Sequence, residues 1–319
     1  MNEIIINGMA FSLPLFIIAI GGIYSEGSGI TNLALEGLLG FGAFTGGLIV
    51  ALIAPLLPSG SSVSMYIALV MAMVGGMLYS MLHALLCIKF KANQVISGVV
   101  INVLSTALTA FLANQINASV FGKASNKFML EVSPRITVPF LSKIPVLGAF
   151  FTSVYPFEFL IIIIAVIMWY VLYRTPTGMR IRACGDNPQA VDAAGGNVSR
   201  IRFGAVMTSG ALAGFGGMCF AYSISTNFSP SIYAGFGYLS IAAMIFGNWR
   251  ILPTFFACLL FGFARSGGYA LVTKLGLPSS YSDLVLTLPY VVTLVLLVFF
   301  SRSNKSPRAL GEVYDKGKR

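Results

Sequence analysis

Residues 154–173, VYPFEFLIIIIAVIMWYVLY, form an apolar run with a single charged residue, Glu158, near its start. A helix needs about 20 consecutive apolar residues to cross the hydrocarbon layer of a membrane, which is roughly 30 Å thick. A run of this length and composition therefore predicts a membrane-spanning helix.

The same pattern recurs along the whole chain. Of the 319 residues, 57% are hydrophobic and only 9% are charged, whereas roughly 25% of the residues of a soluble domain carry a charge. The sequence predicts an all-α polytopic membrane protein of one domain, residues 1–319, with about 8–10 transmembrane helices and a short cytoplasmic helix. The predicted spans are 8–23, 33–54, 65–88, 94–117, 154–173, 203–224, 237–248, 251–272 and 281–300. The short segment 237–248 is interpreted as half of a broken or re-entrant element.

The charged residues predict an orientation. The net charge is +10, and the basic residues lie mainly in loops and in the tail. Because cytoplasmic loops are rich in Lys and Arg, the loop 174–202 and the tail 301–319 are expected to be cytoplasmic, and the loop 118–153 extracytoplasmic. The basic residues within 118–153 oppose this rule, but long loops are translocated with less regard to charge. This distribution explains the positive charge without a nucleic-acid partner.

No set of residues suggests catalysis or a metal site. The cysteines Cys87, Cys184, Cys219 and Cys258 are too far apart for a zinc spacing or a disulfide framework. The phosphate-binding motif G-x-x-x-x-G-K-[ST] does not occur, because neither Gly-Lys pair has the upstream glycine or the following hydroxyl. We therefore expect no enzymatic activity and no cofactor in this chain, so any ATP-driven process would need the ATPase of another protein.

Small residues recur at helical four-residue spacing in the predicted spans. Gly42 is followed by Gly46, and Gly210 by Gly214. Small side chains on one helix face let two backbones approach closely inside a membrane. Packing between helices of the same chain is the preferred interpretation, and a dimer seam is the alternative.

A polar stretch, RACGDNPQAVDAAGGNVSRIRF, separates two apolar runs at residues 182–203. Asp186 and Asn187 offer oxygens that can cap a helix, Pro188 suits the first helical position, and Gly195 suits the end. A helix of about eight residues is marginal in water by itself. Its few apolar side chains are too small for strong lipid binding, so docking to a soluble protein is favoured over an interfacial linker.

Several separated stretches carry a family resemblance. The region TPTGMRIRACGDNPQAVDAAGGNVSRIRFGAVMTSGALAGFGG resembles the cytoplasmic coupling loop and following helix of ATP-binding-cassette (ABC) importer permeases for simple sugars, branched-chain amino acids and nucleosides. The stretches GGIYSEGSGITNLALEGLLGFGAF, ANQVISGVVIN and PRALGEVY resemble the early segment, fourth span and tail of the nucleoside-type branch. The resemblance covers most of the chain.

This resemblance implies how the chain works and with what. Residues 187–195 would form a coupling helix that seats in a cytoplasmic ATPase, which binds ATP and Mg²⁺. The chain would form half of the translocation pathway in the bacterial cytoplasmic (inner) membrane, beside a second, longer permease. The loop 118–153 would help to receive an extracytoplasmic substrate-binding lipoprotein. The coupling residues are Asp186, Asn187, Pro188, Gln189, Ala190, Val191, Asp192, Ala193, Ala194 and Gly195.

Polar groups within apolar runs are the candidates for the substrate pathway, since they are costly to expose to lipid. These candidates are Asn32, Glu36, Gln94, Ser97 and Asn102, and Asn227 and Phe228 are added as residues expected near the outer mouth. Gln94, Ser97 and Asn102 can pair with a neutral nucleoside or polyol, or can equally bond neighbouring helices. Glu36, with Asn32 one turn earlier, either contacts the substrate or is a structural carboxylate that bonds a neighbouring helix or lies near the cytoplasmic rim. Phe228 could stack on a flat base, or could anchor the protein at the outer interface.

Other charged residues have a less definite role. Glu26 is expected at a turn or helix break, where it would bind a partner or be solvated. His83 is interpreted as a packed or rim residue rather than a proton relay. Arg265 departs from the acidic residue that the family tends to carry, and it needs a counter-charge or an aqueous surface; Asp283 is the suggested partner.

The favoured function is therefore a permease subunit of an ABC importer, for purine nucleosides above all. Riboflavin or a simple sugar remains an alternative cargo. A secondary transporter driven by an ion gradient is the alternative from another class, and it would need titratable groups such as Glu36 and Asp283 inside the membrane. A scaffold without transport would leave the coupling loop unexplained.

Overall fold

The computed structural model describes residues 2–56, 62–130, 135–140, 142, 144, 147–231, 233–276, 278, 280–285, 287–300 and 305–316. The helices are α1 (Asn2–Gly27), α2 (Leu35–Ile53), α3 (Val63–Ala84), α4 (Gln94–Phe121), α5 (Pro156–Arg174), α6 (Pro176–Asp186), α7 (Pro188–Ala193), α8 (Val198–Phe220), α9 (Phe236–Phe246), α10 (Ile251–Lys274), α11 (Ser280–Val285) and α12 (Leu288–Phe300). Two short strands are β1 (Phe128–Met129) and β2 (Asn227–Phe228). Single π-helical turns extend α3 to Lys89 and α8 to Ser225.

Within the described part, 7 helices are long and apolar enough to cross a membrane: α1, α2, α3, α4, α5, α8 and α10. This confirms the prediction of an all-α polytopic membrane protein. In the most apolar stretch of α1 and of α8, 72% of the residues are buried by protein, against 33% in α4, α5 and α10. Helices α1 and α8 therefore form the centre of the bundle. Helices α4, α5 and α10 leave most of their surface for lipid or a partner.

Some predicted boundaries were wrong. The first span begins at Asn2 rather than at residue 8 and runs on to Gly27. The predicted span 281–300 is divided into α11 and α12. Pro289, which has no N–H to donate, stands in the first turn of α12 and explains the break.

The short segment after β2 forms an apolar helix too short to span a membrane, and its interpretation as half of a broken or re-entrant element stays a prediction. Helix α9 has 11 residues, which at 1.5 Å per residue gives about 16 Å, or half the hydrocarbon layer. The residues before it, 229–231 and 233–235, are not helical. The chain therefore passes through the bundle between α8 and α10 as an irregular segment followed by a half-length helix.

Small residues let α2, α3 and α8 touch backbone to backbone. A Cβ atom on Gly42 would collide with the backbone of Gly214 and would lie 2.8 Å from the carbonyl oxygen of Ala72. A Cβ atom on Gly76 would collide with the carbonyl oxygen of Gly210. The close approach is between helices of one chain, so the intramolecular interpretation is confirmed for Gly42, Gly210 and Gly214.

The basic segments meet on one face of the bundle. The Lys91 Nζ atom lies 3.0 Å from the carboxylate of Asp315, and the Lys316 Nζ atom lies 3.6 Å from that of Asp192. These ion pairs join the α3–α4 connection, α7 and the tail. By the positive-inside rule we expect this face to be the cytoplasmic one.

The opposite face carries the connections that follow α4 and α8. Strand β1 pairs with β2 in antiparallel register, Phe128 opposite Phe228, and Ile136 bridges Val154. The predicted outer loop 118–153 is shorter than expected at its start, because α4 continues to Phe121. Part of that loop, including Lys143 and Pro145, lies outside the described residues.

Candidate functional site

The predicted cytoplasmic helix forms as α7, with the cap that the sequence suggests. The Asn187 Oδ1 atom accepts a hydrogen bond of 3.0 Å from the Ala190 N–H, and Pro188 occupies the first turn. Gly195 ends the element with a φ of +82°, a conformation that favours glycine. The helix is shorter than the predicted 187–195, and Asp186 is not its cap but the last residue of α6.

One face of α7 is open to a partner. Gln189, Ala190, Ala193 and Ala194 are exposed, whereas Pro188 is buried against the protein. The exposed side chains are short and mostly apolar, and Val191 and Asp192 on the other side are partly buried. This arrangement presents a small ridge that a complementary groove on another protein can enclose.

Helix α6 is a difference from the prediction, since it lies within residues 174–202, whose polar composition indicates a loop. The Thr175 side chain accepts a hydrogen bond from the Gly178 N–H, and Pro176 occupies the first helical position. Thr followed by Pro is a helix-start signal that could have revealed this element. Helices α6 and α7 connect α5 to α8.

The tail forms hydrogen bonds with α6, α8 and the turn after α1. The sequence did not predict these contacts. The Ala309 N–H donates to the Gly185 carbonyl oxygen at 2.7 Å, and the Gly311 N–H donates to that of Gly29 at 3.1 Å. Arg202, only 2% exposed, donates to the carbonyl oxygens of Ser28 and Glu312, both at 3.0 Å. The end of α1, the end of α6, the start of α8 and the tail are therefore tied together.

Glu36 and Asn102 lie where α2, α4 and the start of α9 meet. The Glu36 carboxylate accepts hydrogen bonds from the N–H groups of Gly235, at 2.5 Å, and Gly237, at 2.6 Å. The Asn102 amide accepts from the Gly37 N–H at 2.7 Å and donates to the Tyr238 hydroxyl at 3.0 Å. These side chains hold the irregular segment and α9 against α2 and α4.

Gln94, Ser97 and Asn32 surround the turn between α1 and α2. The Gln94 Oε1 atom accepts from the Thr31 N–H at 2.7 Å, and Asn32 donates to the Ser209 hydroxyl at 2.8 Å. Ser97 lies 2.9 Å from the Nδ1 atom of His83. His83 is fully buried, which confirms its interpretation as a packed residue.

Asn227 and Phe228 lie apart from that group, in β2. The Phe228 ring is buried between the rings of Phe44 and Phe128, at centroid distances of 5.6 and 6.0 Å. The seven predicted pathway residues thus occupy several places rather than one. Most are bonded within the protein, which supports the alternative of interhelical bonding, and their role in the pathway stays a prediction.

Glu26 was wrongly expected to be solvated or to bind a partner. It is 4% exposed, and its Oε2 atom accepts a hydrogen bond of 2.7 Å from the indole N–H of Trp249. The Asn32 N–H approaches the other oxygen at 3.4 Å. The carboxylate therefore joins the end of α1 to the connection between α9 and α10.

The described residues contain no group of three His, Cys, Asp or Glu side chains that could hold a metal ion. Arg265 lies in α10 and lines cavities beside α1 and α9. The side chain of Asp283, its suggested partner, lies outside the described residues.

Comparison with known proteins agrees with this architecture. A family model described as branched-chain amino acid transport system / permease component matches residues 4–299. The chain is 38% identical to the guanosine ABC transporter permease NupQ of Bacillus subtilis, over 98% of this chain and 96% of NupQ. It is also 38% identical to the nucleoside ABC transporter permease NupC of Lactococcus lactis, over 99% and 97% of the two chains.

A more distant relative is the guanosine ABC transporter permease NupP of Bacillus subtilis. It is 24% identical over 79% of this chain and 68% of NupP. No solved structure matches the chain significantly. The family model spans nearly the whole length and all the membrane helices, so this multi-pass membrane protein belongs to the family of branched-chain amino acid transport system permease components.

Proposed function

We propose that this chain is the permease subunit of an ABC importer for nucleosides. The observation that carries the proposal is the 38% identity, over almost the full length, to one permease named for guanosine and one named for nucleosides. In the importer the chain forms half of the translocation pathway. ATP and Mg²⁺ are bound by a separate ATPase.

The second half of the pathway is a longer permease of the same family. Bacillus subtilis has two guanosine permeases, NupQ and NupP, which supports a pair of unlike subunits. The matched region is a smaller share of NupP than of this chain, so NupP is the longer protein. An extracytoplasmic binding lipoprotein delivers the substrate to the face that carries β1 and β2.

Helix α7 docks on the ATPase and transmits its movement. The exposed ridge of Ala190 and Ala193 supports this role, as does the position of α7 in the chain, one residue after α6 and four residues before α8. When the ATPase subunits close on ATP, α7 moves with them. The bonded ends of α1, α6 and α8 carry that movement into the membrane helices.

The docking role is tested with Ala190→Glu. A carboxylate on the exposed ridge would be buried without a partner in the groove of the ATPase, so we expect the ATPase to stop copurifying with the permease pair while membrane insertion stays normal. The matched control is Ala124→Glu, an exposed alanine of the opposite face, which should retain the ATPase. Retention of both the ATPase and uptake by the Ala190→Glu variant would reject the role of α7.

The cargo is tested by uptake into proteoliposomes that contain the whole importer. We expect guanosine, adenosine or another nucleoside to accumulate, and ribose and riboflavin to stay outside. Accumulation of the sugar or of riboflavin, without any nucleoside, would replace the proposed cargo while leaving the importer class in place.

A further inference from the structure

Two adjoining cavities lie between α1, the end of α8, α9 and α10, and one of them reaches α12. Their volumes are about 300 Å³ and about 400 Å³, and small-molecule sites measure about 300–1,000 Å³. Both cavities are lined by Phe11, Ile224, Arg265 and Tyr269. Arg265 is the one charged residue in either lining.

The Arg265 guanidinium is surrounded by aromatic rings but has an unused donor. Its Cζ atom lies 4.4 Å from the ring centroid of Phe11, 5.5 Å from that of Tyr269 and 5.8 Å from that of Phe236. Among the described residues its Nε–H has no hydrogen-bond acceptor, and no ion pair includes it. A buried donor without an acceptor costs free energy, and charged groups inside a membrane protein typically mark a substrate pathway.

Hydroxyl groups complete the lining. Ser223 lines the smaller cavity, and among the described residues its hydroxyl also has no hydrogen-bond partner. Ser231 and Tyr290 line the larger one. The cavities thus combine flat apolar walls, one planar cation and several hydroxyls.

The irregular segment before α9 forms part of the same wall. Ser231 and Ala234 belong to it, and Gly235 at its end has a φ of +94° and donates its N–H to Glu36. Non-helical backbone inside a membrane is tolerated where it is buried in protein or lines a cavity. Transporters place substrate sites at such interruptions between helices.

The geometry points to a binding site for the base of an oxo-purine nucleoside in these cavities, with the Arg265 guanidinium donating to two adjacent acceptors of the base. The site rests on the proposed function, since a nucleoside brings a flat ring and a hydroxyl-rich sugar. An oxo-purine presents O6 and N7 as acceptors on one edge, which match the planar fork of arginine, whereas adenine presents an amino donor beside N7. Phe11 and Tyr269 flank the ring, and the serine hydroxyls pair with the ribose.

A neutral ligand fits these cavities better than an anion. A phosphate or carboxylate ligand calls for several charged or backbone donors, and Arg265 is the one charged residue in linings whose other side chains are aromatic, aliphatic, hydroxyl-bearing or, at Asn7, an amide. A lipid phosphate and a carboxylate from elsewhere in the chain are the competing partners for Arg265. A lysine at position 265 would still bind a phosphate or a carboxylate, because it keeps the positive charge. It would lose the bidentate contact with a base, because it lacks the planar fork of arginine.

The test is a comparison of uptake ratios in proteoliposomes that contain the complete importer. Guanosine is compared with 7-deazaguanosine, which lacks the N7 acceptor, for the wild type and for Arg265→Lys. The same binding protein is used with the wild-type and the variant importer. Its own preference for one nucleoside therefore cancels when the uptake ratio of the variant is divided by that of the wild type. We expect the guanosine-to-7-deazaguanosine ratio to fall about tenfold in the variant, since a bidentate contact is worth 1–3 kcal/mol and each 1.4 kcal/mol is a factor of ten.

The control is Arg250→Lys, an identical change at the exposed start of α10, which should leave the ratio as in the wild type. An unchanged ratio in Arg265→Lys, with guanosine still imported, overturns the site but not the proposed function. An importer that accumulates no nucleoside at all overturns both. If Arg265→Lys does not assemble, photolabelling of the wild type with 8-azidoguanosine decides: label within Ile251–Lys274 supports the site, and its absence there refutes it.

Discussion

Glu36, which is partly buried, and Arg202, which is buried, bind backbone groups instead of opposite charges. Glu36 accepts two N–H groups at the start of α9, and Arg202 donates to carbonyl oxygens at the end of α1 and in the tail. Hydrogen bonds to a charged group are roughly twice as strong as neutral ones. Each of these side chains therefore fixes a piece of irregular backbone that no helix ladder supports.

Replacing Glu36 by Gln tests the first of these anchors. The amide NH₂ of Gln would face a backbone N–H where a carboxylate oxygen now accepts, so we expect the free energy of unfolding to fall by about 1–3 kcal/mol. Thermal unfolding of the purified protein in detergent measures this. Glu3→Gln, at the exposed start of α1, should leave the Tm unchanged, and equal Tm values for E36Q and the wild type would contradict the anchoring role.

Replacing Arg202 by Met tests the second anchor. Loss of the two donated hydrogen bonds is expected to lower the free energy of unfolding by about 1.5–3 kcal/mol. Removal of residues 305–319 should also lower the free energy of unfolding. Part of that decrease is the same as in Arg202→Met, because the Glu312 carbonyl oxygen is one of the two acceptors of Arg202. Unfolding measurements on both variants and on their combination should therefore show non-additivity.

The exposed neighbour Arg200 provides the control for that series, and Arg200→Met should be close to neutral. Full additivity between Arg202→Met and the truncation would mean that Arg202 does not hold the tail. The surface ion pairs of Lys91 and Lys316 contribute little to this comparison, since exposed pairs are worth about 0–1 kcal/mol.

At this scale the sequence indicated which residues are unusual but not what they bind. Glu36 was recognisable as a carboxylate within an apolar run, yet its partner Gly235 is 199 positions away. The role of Glu26 was predicted wrongly because Trp249, its partner, is 223 positions away. Helical spacing relates residues within a turn or two and carries no information about contacts at that separation.

Among the elements, helices α6 and α7 differ in how far they could be predicted from the sequence. Helix α7 follows from Asn187, Pro188 and Gly195, which are local signals for the beginning and the end of a helix. Helix α6 carries comparable signals in Thr175 and Pro176, but its polar composition resembled a loop. Propensity alone does not decide such a segment, because contacts with α8 and the tail stabilise it.

The packing of α2 against α3 and α8 gives a prediction at the scale of elements. Gly42→Ala would place a methyl group on the backbone of α8, and forced overpacking costs about 1–3 kcal/mol. Gly204→Ala, in the same α8 but with open space around the added Cβ atom, should be neutral or slightly stabilising because alanine favours a helix. Thermal unfolding of the two variants distinguishes them, and equal destabilisation by both would contradict the close packing.

For the whole molecule, the apolar runs were enough to predict the fold class, and the basic segments were enough to predict which connections share a face. The length of the apolar runs is a direct consequence of membrane thickness, so it can be read locally. The irregular segment, α9 and the docked tail depend on contacts between distant parts of the chain. The cavities beside Arg265 arise from those contacts, which is why they could not be predicted.

In the whole molecule, α7 is connected to α1, α6 and α8. Two of these helices, α1 and α8, also line the cavities beside Arg265. Helix α7 is joined to α6 by one residue and to α8 by four residues. Hydrogen bonds of the tail and of Arg202 tie together the end of α1, the end of α6 and the start of α8, and α1 and the end of α8 line the cavities. We expect a movement imposed on α7 to reach the cavity wall through these helices and hydrogen bonds. In the proposed importer, this route would couple the permease to a separate ATPase.

The most direct test of that account is the energy source of nucleoside uptake. Proteoliposomes containing this chain, its partner permease, the ATPase and the binding protein are supplied with labelled guanosine, with and without ATP on the ATPase side, and with a protonophore. The account predicts accumulation that requires ATP hydrolysis and is unaffected by the protonophore. Uptake that continues without ATP and collapses when the protonophore is added would contradict it.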